Sequence, residues 1–449
     1  MLPMRERIAV TIMALSLLAA LGLGVAVAAN VGKGTTSVAG VTQAAPSASQ
    51  ASSGTGATQG TQGTAARTIT SGGTAGQQGT NLSTASTGVA NGVITVGGIY
   101  DETGPVDSTV ERDVVRAYFA KVNDAGGVNG YKFRLIDCDS AYDPTQAHQC
   151  TLRLLSQGVL GFVGNNSVSG EEPETKYLTQ QGVPIVGGLG VPAEFNSPIS
   201  YPVVASFVRD GWATGWHSSL LGIKTPAVVL VSLNFVEPAK QALLDSLHKH
   251  NIHETSVNMV DITKPDYTDL VIKLRRENPD AVLAGLDPYS YARFFQAMQR
   301  SGWHPKFGGL GLDKPSAQKD YGTQVYGAES LTSVTEAQDH QSDPAIKDYQ
   351  DTVRHYFPNQ MEAIDYFSEG DWVAAKVFVE AVRRIGKNPV NRKSLVDALN
   401  TIKNFETGLT VPISYSAGSS HDPNHCFNWI RNENGVWTTY SDWVCIQGP

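Results

Sequence analysis

Histidine, acid and hydroxyl groups are the residues from which this chain could build chemistry, and their spacing decides which chemistry is open to it. His248, His250 and His253 cluster at the end of a helical stretch, while His421 and His425 flank Pro423 in a turn. A tetrahedral metal site needs ligands on one face and further partners; a solvated helix end and a polar turn account for both groups. No Gly-x-Ser-x-Gly occurs, so a nucleophile elbow has no support. Gly309-Leu-Gly311 lacks the third glycine and the following helix of a dinucleotide fingerprint, and there is no Walker-type Gly-Lys-Ser/Thr. The chain therefore reads as a binding protein and not an enzyme, with no cofactor and no metal expected.

The polar groups that remain suit recognition. The loop Asn165-Asn166-Ser167-Val168-Ser169-Gly170 follows a strand pattern and precedes a helical one. Its hydroxyls and amides, with Asn166, Ser167 and Ser169 foremost, could face an anion at a helix N-terminus, or cap that helix. Asp287 and Asp313 each follow a strand, and each could accept hydrogen bonds from an ammonium group or serve as a turn or cap residue. Tyr100, Phe235, Tyr289 and Trp372 could pack on the apolar part of a ligand or lie in a core. Gly190 and Asn234 complete the set of candidate ligand-binding residues.

These groups need elements to position them, and the apolar pattern supplies two rounds of alternating strand and helix. A buried strand over 94–99 leads to a helix from Ser108, with Val110, Val114, Tyr118 and Val122 at i, i+4 spacing. Gly126-Gly127 ends that helix. Strands over 132–137, 159–164 and 183–187 alternate with helices over 145–156 and 172–181. The pattern restarts with strands over 226–232, 257–261, 280–285 and 306–312, and helices over 237–251, 266–278 and 290–301. A long helix over 366–385 follows, with Trp372, Ala375, Val379 and Val382 on one face, and the turn-rich tail from Gly408 reads as edge strands. Strand–helix alternation implies right-handed crossovers and parallel sheets. The fold class is thus α/β, with two doubly wound lobes and a crossing near 206–211. Such sheets bind ligands beyond the carboxyl ends of their strands. That rule nominates the loops 100–104, 165–169, 188–191, 234–235, 287–289 and 312–314.

Outside the folded part, Arg5 and Arg7 precede an uncharged apolar run from Ile8 to Ala29 that ends in small residues. Segment 1–29 reads as a secretory signal peptide or a retained signal anchor, and export follows from either. Residues 30–92 are dominated by Ser, Thr, Gly, Ala and Gln, with Lys33 and Arg67 the only charges, and read as a disordered spacer. A formal net charge of −8 leaves no footprint for nucleic acid. The 4 cysteines allow three pairings. The local loops Cys138–Cys150 and Cys426–Cys445 are the economical disulfides in an oxidising compartment.

Several segments together resemble the leucine/isoleucine/valine-binding proteins, the type I periplasmic solute-binding proteins of ABC transporters. They are Thr103-Gly104-Pro105, Val122-Asn-Asp-Ala-Gly-Gly-Val-Asn-Gly130, Asp137-Cys-Asp-Ser-Ala-Tyr-Asp-Pro-Thr-Gln-Ala147, Gly158-Val-Leu-Gly-Phe-Val-Gly164 and Gly182-Val-Pro-Ile-Val186, in that order. The resemblance implies three crossings, with lobe one formed by 93–206 plus 337–408 and lobe two by 207–336 plus 409–449. It implies hinge closure around a small polar ligand, an amino acid or related compound, and delivery to the membrane permease of an ABC importer. An extracellular ligand sensor or adaptor read by a membrane partner is the alternative. The resemblance aligns 166–169 and 188–191 with loops that hold a ligand α-carboxylate. Ser167 and Ser169 keep hydroxyls in the first, with Val168 nearest the expected position, and Gly188-Leu-Gly-Val191 has none. Asp313 aligns with the acid that takes the ammonium group, and Phe235 with an aromatic contact.

Overall fold

The computed structural model of the chain describes residues 81–448. The segment read as signal or anchor, and residues 30–80 of the expected spacer, lie outside the described residues.

The first lobe is built on β2 (Val93–Tyr100), whose β-branched residues are buried along nearly its whole length. β2 pairs in parallel with β3 (Lys132–Asp139) on one side and β4 (Phe162–Val163) on the other; β5 (Ile185–Val186) and β6 (Ser200–Tyr201) continue the parallel sheet. Gly97 and Gly98 interrupt β2 for a packing reason. A Cβ on Gly97 would meet the Phe162 ring at 3.1 Å, and one on Gly98 the Tyr100 ring at 2.6 Å, so the glycines let two aromatic rings lie on the strand. Helices α1 (Thr109–Asp124), α2 (Pro144–Ser156), α3 (Glu171–Gln180) and the short α4 (Pro192–Phe195) connect these strands.

The second lobe begins with α5 (Phe207–Leu220). It alternates β7 (Ala227–Val231), α6 (Val236–Lys249), β8 (Ser256–Val260), α7 (Thr268–Glu277), β9 (Ala281–Gly285), α8 (Pro288–Ser301), β10 (Lys306–Leu310), α9 (Pro315–Tyr321) and β11 (Glu329–Thr332). The sheet runs β8-β7-β9-β10-β11 in parallel and is extended antiparallel by β12 (Cys426–Glu433) and β13 (Val436–Thr439). β14 (Val444–Cys445) pairs with the start of β12. The tail therefore supplies an interior strand, β12, and not edge strands alone.

Between the two passes of lobe two, the chain returns to lobe one as α10 (Pro344–Tyr356), α11 (Tyr366–Ile385) and α12 (Arg392–Leu399). α11 opens with a reciprocal cap: Asp365 accepts from Ser368 N at 3.0 Å, and Asp365 N donates to Ser368 Oγ at 2.7 Å. Its apolar faces fill the first core against α1, where Phe119 stacks on Phe133 and contacts Phe378.

The three crossings meet at Ser333. Its Oγ accepts from Ala205 N at 2.9 Å, and its carbonyl accepts from Asn424 Nδ2 at 2.9 Å. One residue from each crossing is thus tied to a single point, as a hinge requires. Two expected boundaries are corrected. Residues 81–92 are folded: Val89–Ala90 (β1) pairs antiparallel with β2, Leu82 packs on the first core, and Ser83 O accepts from Lys393 N. At the other end, Leu409, Ile413 and Tyr415 lie in the first core, and Tyr415 OH donates to Pro202 O at 2.7 Å. Lobe one therefore continues past Gly408. The structure contains the disulfides Cys138–Cys150, between β3 and α2, and Cys426–Cys445, between β12 and β14.

Trp372 lies wholly inside lobe one, 2% exposed, between Tyr118 and Tyr349 with ring centroids 4.8 and 5.3 Å away. Trp372→Ala is expected to lower the unfolding free energy by about 3–5 kcal/mol in a urea titration, leaving solute affinity of the folded protein unchanged. Lost binding at intact stability would return Trp372 to the ligand site.

Candidate ligand-binding cleft

A cavity of about 180 Å³ opens between the lobes and is walled by loops at the carboxyl ends of both sheets. Lobe one contributes Val106, Ser108 and Glu111 after β2, Tyr142 after β3, Asn166 and Val168 after β4, and Leu189 after β5. Lobe two contributes Phe235 after β7, Ile262 after β8, Asp287 and Tyr289 after β9, and Lys314 after β10. Phe207, Asp210 and Thr214 add one face of α5, and Asp365 and Phe367 the start of α11. Apolar side chains dominate the lobe-two wall, where Leu230, Leu243 and Leu283 back the Phe207–Phe235 pair, stacked with centroids 5.8 Å apart.

Of the residues nominated from sequence, Asn166, Phe235, Asp287 and Tyr289 line this cavity. Asn166 accepts from Ser108 Oγ at 3.1 Å. Asp287 caps α8, taking Tyr289 N at 3.0 Å and Ser290 N at 2.9 Å on Oδ1, while Oδ2 is buried without a partner. The cap reading and the cleft position therefore hold together for this residue.

The other nominees lie elsewhere. Tyr100 is fully buried in the first core, with its hydroxyl on Val163 O. Trp372 is core, and Asn234 is exposed and off the cavity. Ser167 Oγ lies 2.8 Å from Ser140 Oγ, within hydrogen-bond distance, and Ser169 Oγ is buried off the cavity. Asp313 Oδ2 accepts from Tyr366 N at 2.9 Å, so it caps α11 and does not face the cleft.

Both loops assigned to a ligand carboxylate already hold carboxyl groups of the chain. Val168 N donates to Asp101 Oδ2 at 2.8 Å, and Tyr142 N to Asp101 Oδ1 at 2.7 Å. Gly190 N lies 3.1 Å from both Glu194 oxygens, and Val191 N donates to Glu194 Oε1 at 3.2 Å. Gly190 (φ 101°) and Gly188 (φ 132°) adopt a backbone that wraps this carboxyl, and a Cβ on Gly188 would collide with Glu194 Cδ at 2.5 Å. Val168, Gly190 and Val191 N are thereby taken from any external anion.

Sequence reasoning missed the polar centre of the cleft. Lys314, 4% exposed, places Nζ 3.1 Å from Asp365 Oδ2 and 3.6 Å from Glu111 Oε1. Burial alone would lower its pKa, but Asp365 and Glu111 outweigh that and hold the ammonium charged. Glu111 is pushed up to about 8 by burial, with Lys314 opposing. Asp210, 5% exposed, has no partner for either carboxyl oxygen, and burial raises it well above the usual carboxylate range. Lys314 directly follows the nominated Asp313, so its loop was legible although its role was not.

A two-lobed α/β fold with three crossings and a cleft at the carboxyl ends of both sheets defines a type I periplasmic binding protein. The family model described as periplasmic binding protein matches residues 93–435. The chain belongs to that family of periplasmic binding proteins. It is 22% identical to the Leu/Ile/Val-binding protein of Escherichia coli (strain K12) over 240 residues, covering 52% of this chain and 60% of that relative. A branched chain amino acid ABC transporter structure from Thermus thermophilus with bound valine superposes with a TM-score of 0.72 at 16% identity, covering 79% of this chain and 97% of that one. The fatty acid ABC transporter substrate-binding protein from Thermomonospora curvata gives a TM-score of 0.70 at 18% identity, covering 80% and 94%. At such identities the structures establish the fold.

The buried carboxyl groups set a pH dependence. Burial pushes Glu111 and Glu171 up to about 8 and Asp313 to about 7, against about 4 in an unfolded chain. Between those limits the folded protein binds more protons than the unfolded one. Their contribution to stability is thus fully present below about pH 4 and is lost as pH rises through 7 to 8. Urea midpoints are expected to fall from pH 6 to pH 9; a rise over that interval would contradict the assignment.

Proposed function

We propose that this chain is an exported solute-binding protein that captures a small ligand between its lobes by hinge closure and delivers it to the membrane permease of an ABC importer. The observation that carries the proposal is the cavity itself, walled from both lobes and lying beside crossings tied together at Ser333. Closing the lobes removes the apolar wall and the ligand from water together, which turns a few polar contacts into affinity.

From sequence the ligand is an amino acid or a related compound. The walls support a solute with an apolar body, because Phe207, Phe235, Leu230 and Leu283 offer dispersion contacts and few hydrogen bonds. The charged start and apolar run of 1–29, together with two disulfides, support an extracytoplasmic location. The Ser/Thr/Gly-rich composition of 30–92 favours a second reading, a ligand sensor held off a membrane by a stalk and read by a membrane partner.

A thermal-shift screen of the full chain against amino acids, amines, amides and small carboxylates tests the first reading. A ligand at about 100 times its Kd adds about 2.7 kcal/mol of stability, a shift of several degrees. Phe235→Ala is expected to weaken the best ligand roughly tenfold or more in calorimetry, since it removes most of an aromatic contact. Failure of every solute to stabilise the protein would count against solute capture and leave the sensor reading with a protein partner.

A further inference from the structure

We infer that the solute is an organic cation: a basic nitrogen on an apolar body, received by the carboxyl groups of Asp210, Glu111 and Asp287. This deepens the solute-binding reading and rests on it. Asp107, Glu111, Asp210, Asp287 and Asp365 line the cavity against Lys240 and Lys314. Neither cation is spare: Lys314 is shared by Asp365 and Glu111, and Lys240 lies 2.6 Å from Glu237. Four carboxyl oxygens on the lining are buried without any partner, namely both of Asp210, Oε2 of Glu111 and Oδ2 of Asp287.

A buried carboxyl group without donors is costly unless a ligand supplies them. An ammonium or amidinium group brings both the N–H donors and the opposite charge. An anionic ligand brings neither, and three backbone amides that might receive it, Val168, Gly190 and Val191 N, already serve Asp101 and Glu194. The Phe207–Phe235 pair adds aromatic faces that attract a cation while packing on its hydrocarbon part. The site thus selects against the free α-amino acids suggested by the resemblance, because the carboxylate half of such a ligand would compete with Asp101 and Glu194 for Val168, Gly190 and Val191 N.

Cation capture also fixes a pH signature. In the empty cleft, burial keeps Asp210 and Glu111 protonated over a wide range. Binding a cation requires them ionised, so binding releases protons and tightens as pH rises.

Calorimetry of the full chain tests this with phenethylamine and isoamylamine as probes, beside phenylacetate, isovalerate and leucine, at pH 6 and pH 8. The amines are expected to bind, with affinity rising up to about tenfold per pH unit for each proton released. Asp210→Asn should weaken them by about 100-fold while raising the Tm of the free protein, since it removes an unpartnered acid. That rise in Tm separates lost recognition from lost folding, and Asp287→Asn gives a second variant expected to weaken the amines. Binding of phenylacetate, isovalerate or leucine in preference to both amines would overturn the cation class and leave solute capture standing. Binding of no solute in the thermal-shift screen or here would overturn both.

Discussion

Lys314 is the only lysine or arginine buried among the described residues, and it sits where the two lobes meet. Taking an ammonium group out of water costs several kcal/mol unless charges and hydrogen bonds are arranged around it. Asp365 and Glu111 provide that arrangement, and both belong to the opposite lobe. The triad therefore fixes the first turn of α1, the cap of α11 and the loop after β10 at one point. The adjacent Asp313 strengthens the same junction by receiving the first free amide of α11. Removing Asp365 would strand the Lys314 ammonium as a buried charge, so this junction constrains how the rest of the cleft is shaped.

Around it, the chain uses its own acids to finish loops that could otherwise have bound anions. Asp101 gathers Val168, Tyr142 and Ser140, and Glu194 gathers Gly190 and Val191. These loops are preorganised without a ligand, and what they leave to the cavity is mostly hydrocarbon. Selectivity is then set by the few acceptors left unsatisfied, because an unmatched buried polar group discriminates more sharply than an added apolar contact.

The alternation of strand and helix was legible because buried parallel strands and amphipathic helices differ in period. It located the cleft loops and placed Asn166, Phe235, Asp287 and Tyr289 on them. It could not separate Tyr100 and Trp372 from ligand contacts, since an aromatic residue beside a strand end serves a core equally well. Asp210 was illegible because nothing in a helical pattern tells an acid turned to water from one turned inward. The boundaries slipped for a related reason. β1 and the isolated bridge between Phe405 and Ile413 pair too few residues to show any period. β4 and β5, two residues each, show likewise that an apolar run fixes burial but not the length of a ladder.

Hydrogen exchange of the full chain, with and without the tightest-binding solute of the screen, tests most directly whether that solute is held between the lobes. Simultaneous slowing in the first turns of α1, α5 and α8 is the expected result, because those segments wall the cavity from both sides. Slowing confined to one lobe, with the facing segments unchanged, would contradict capture by closure.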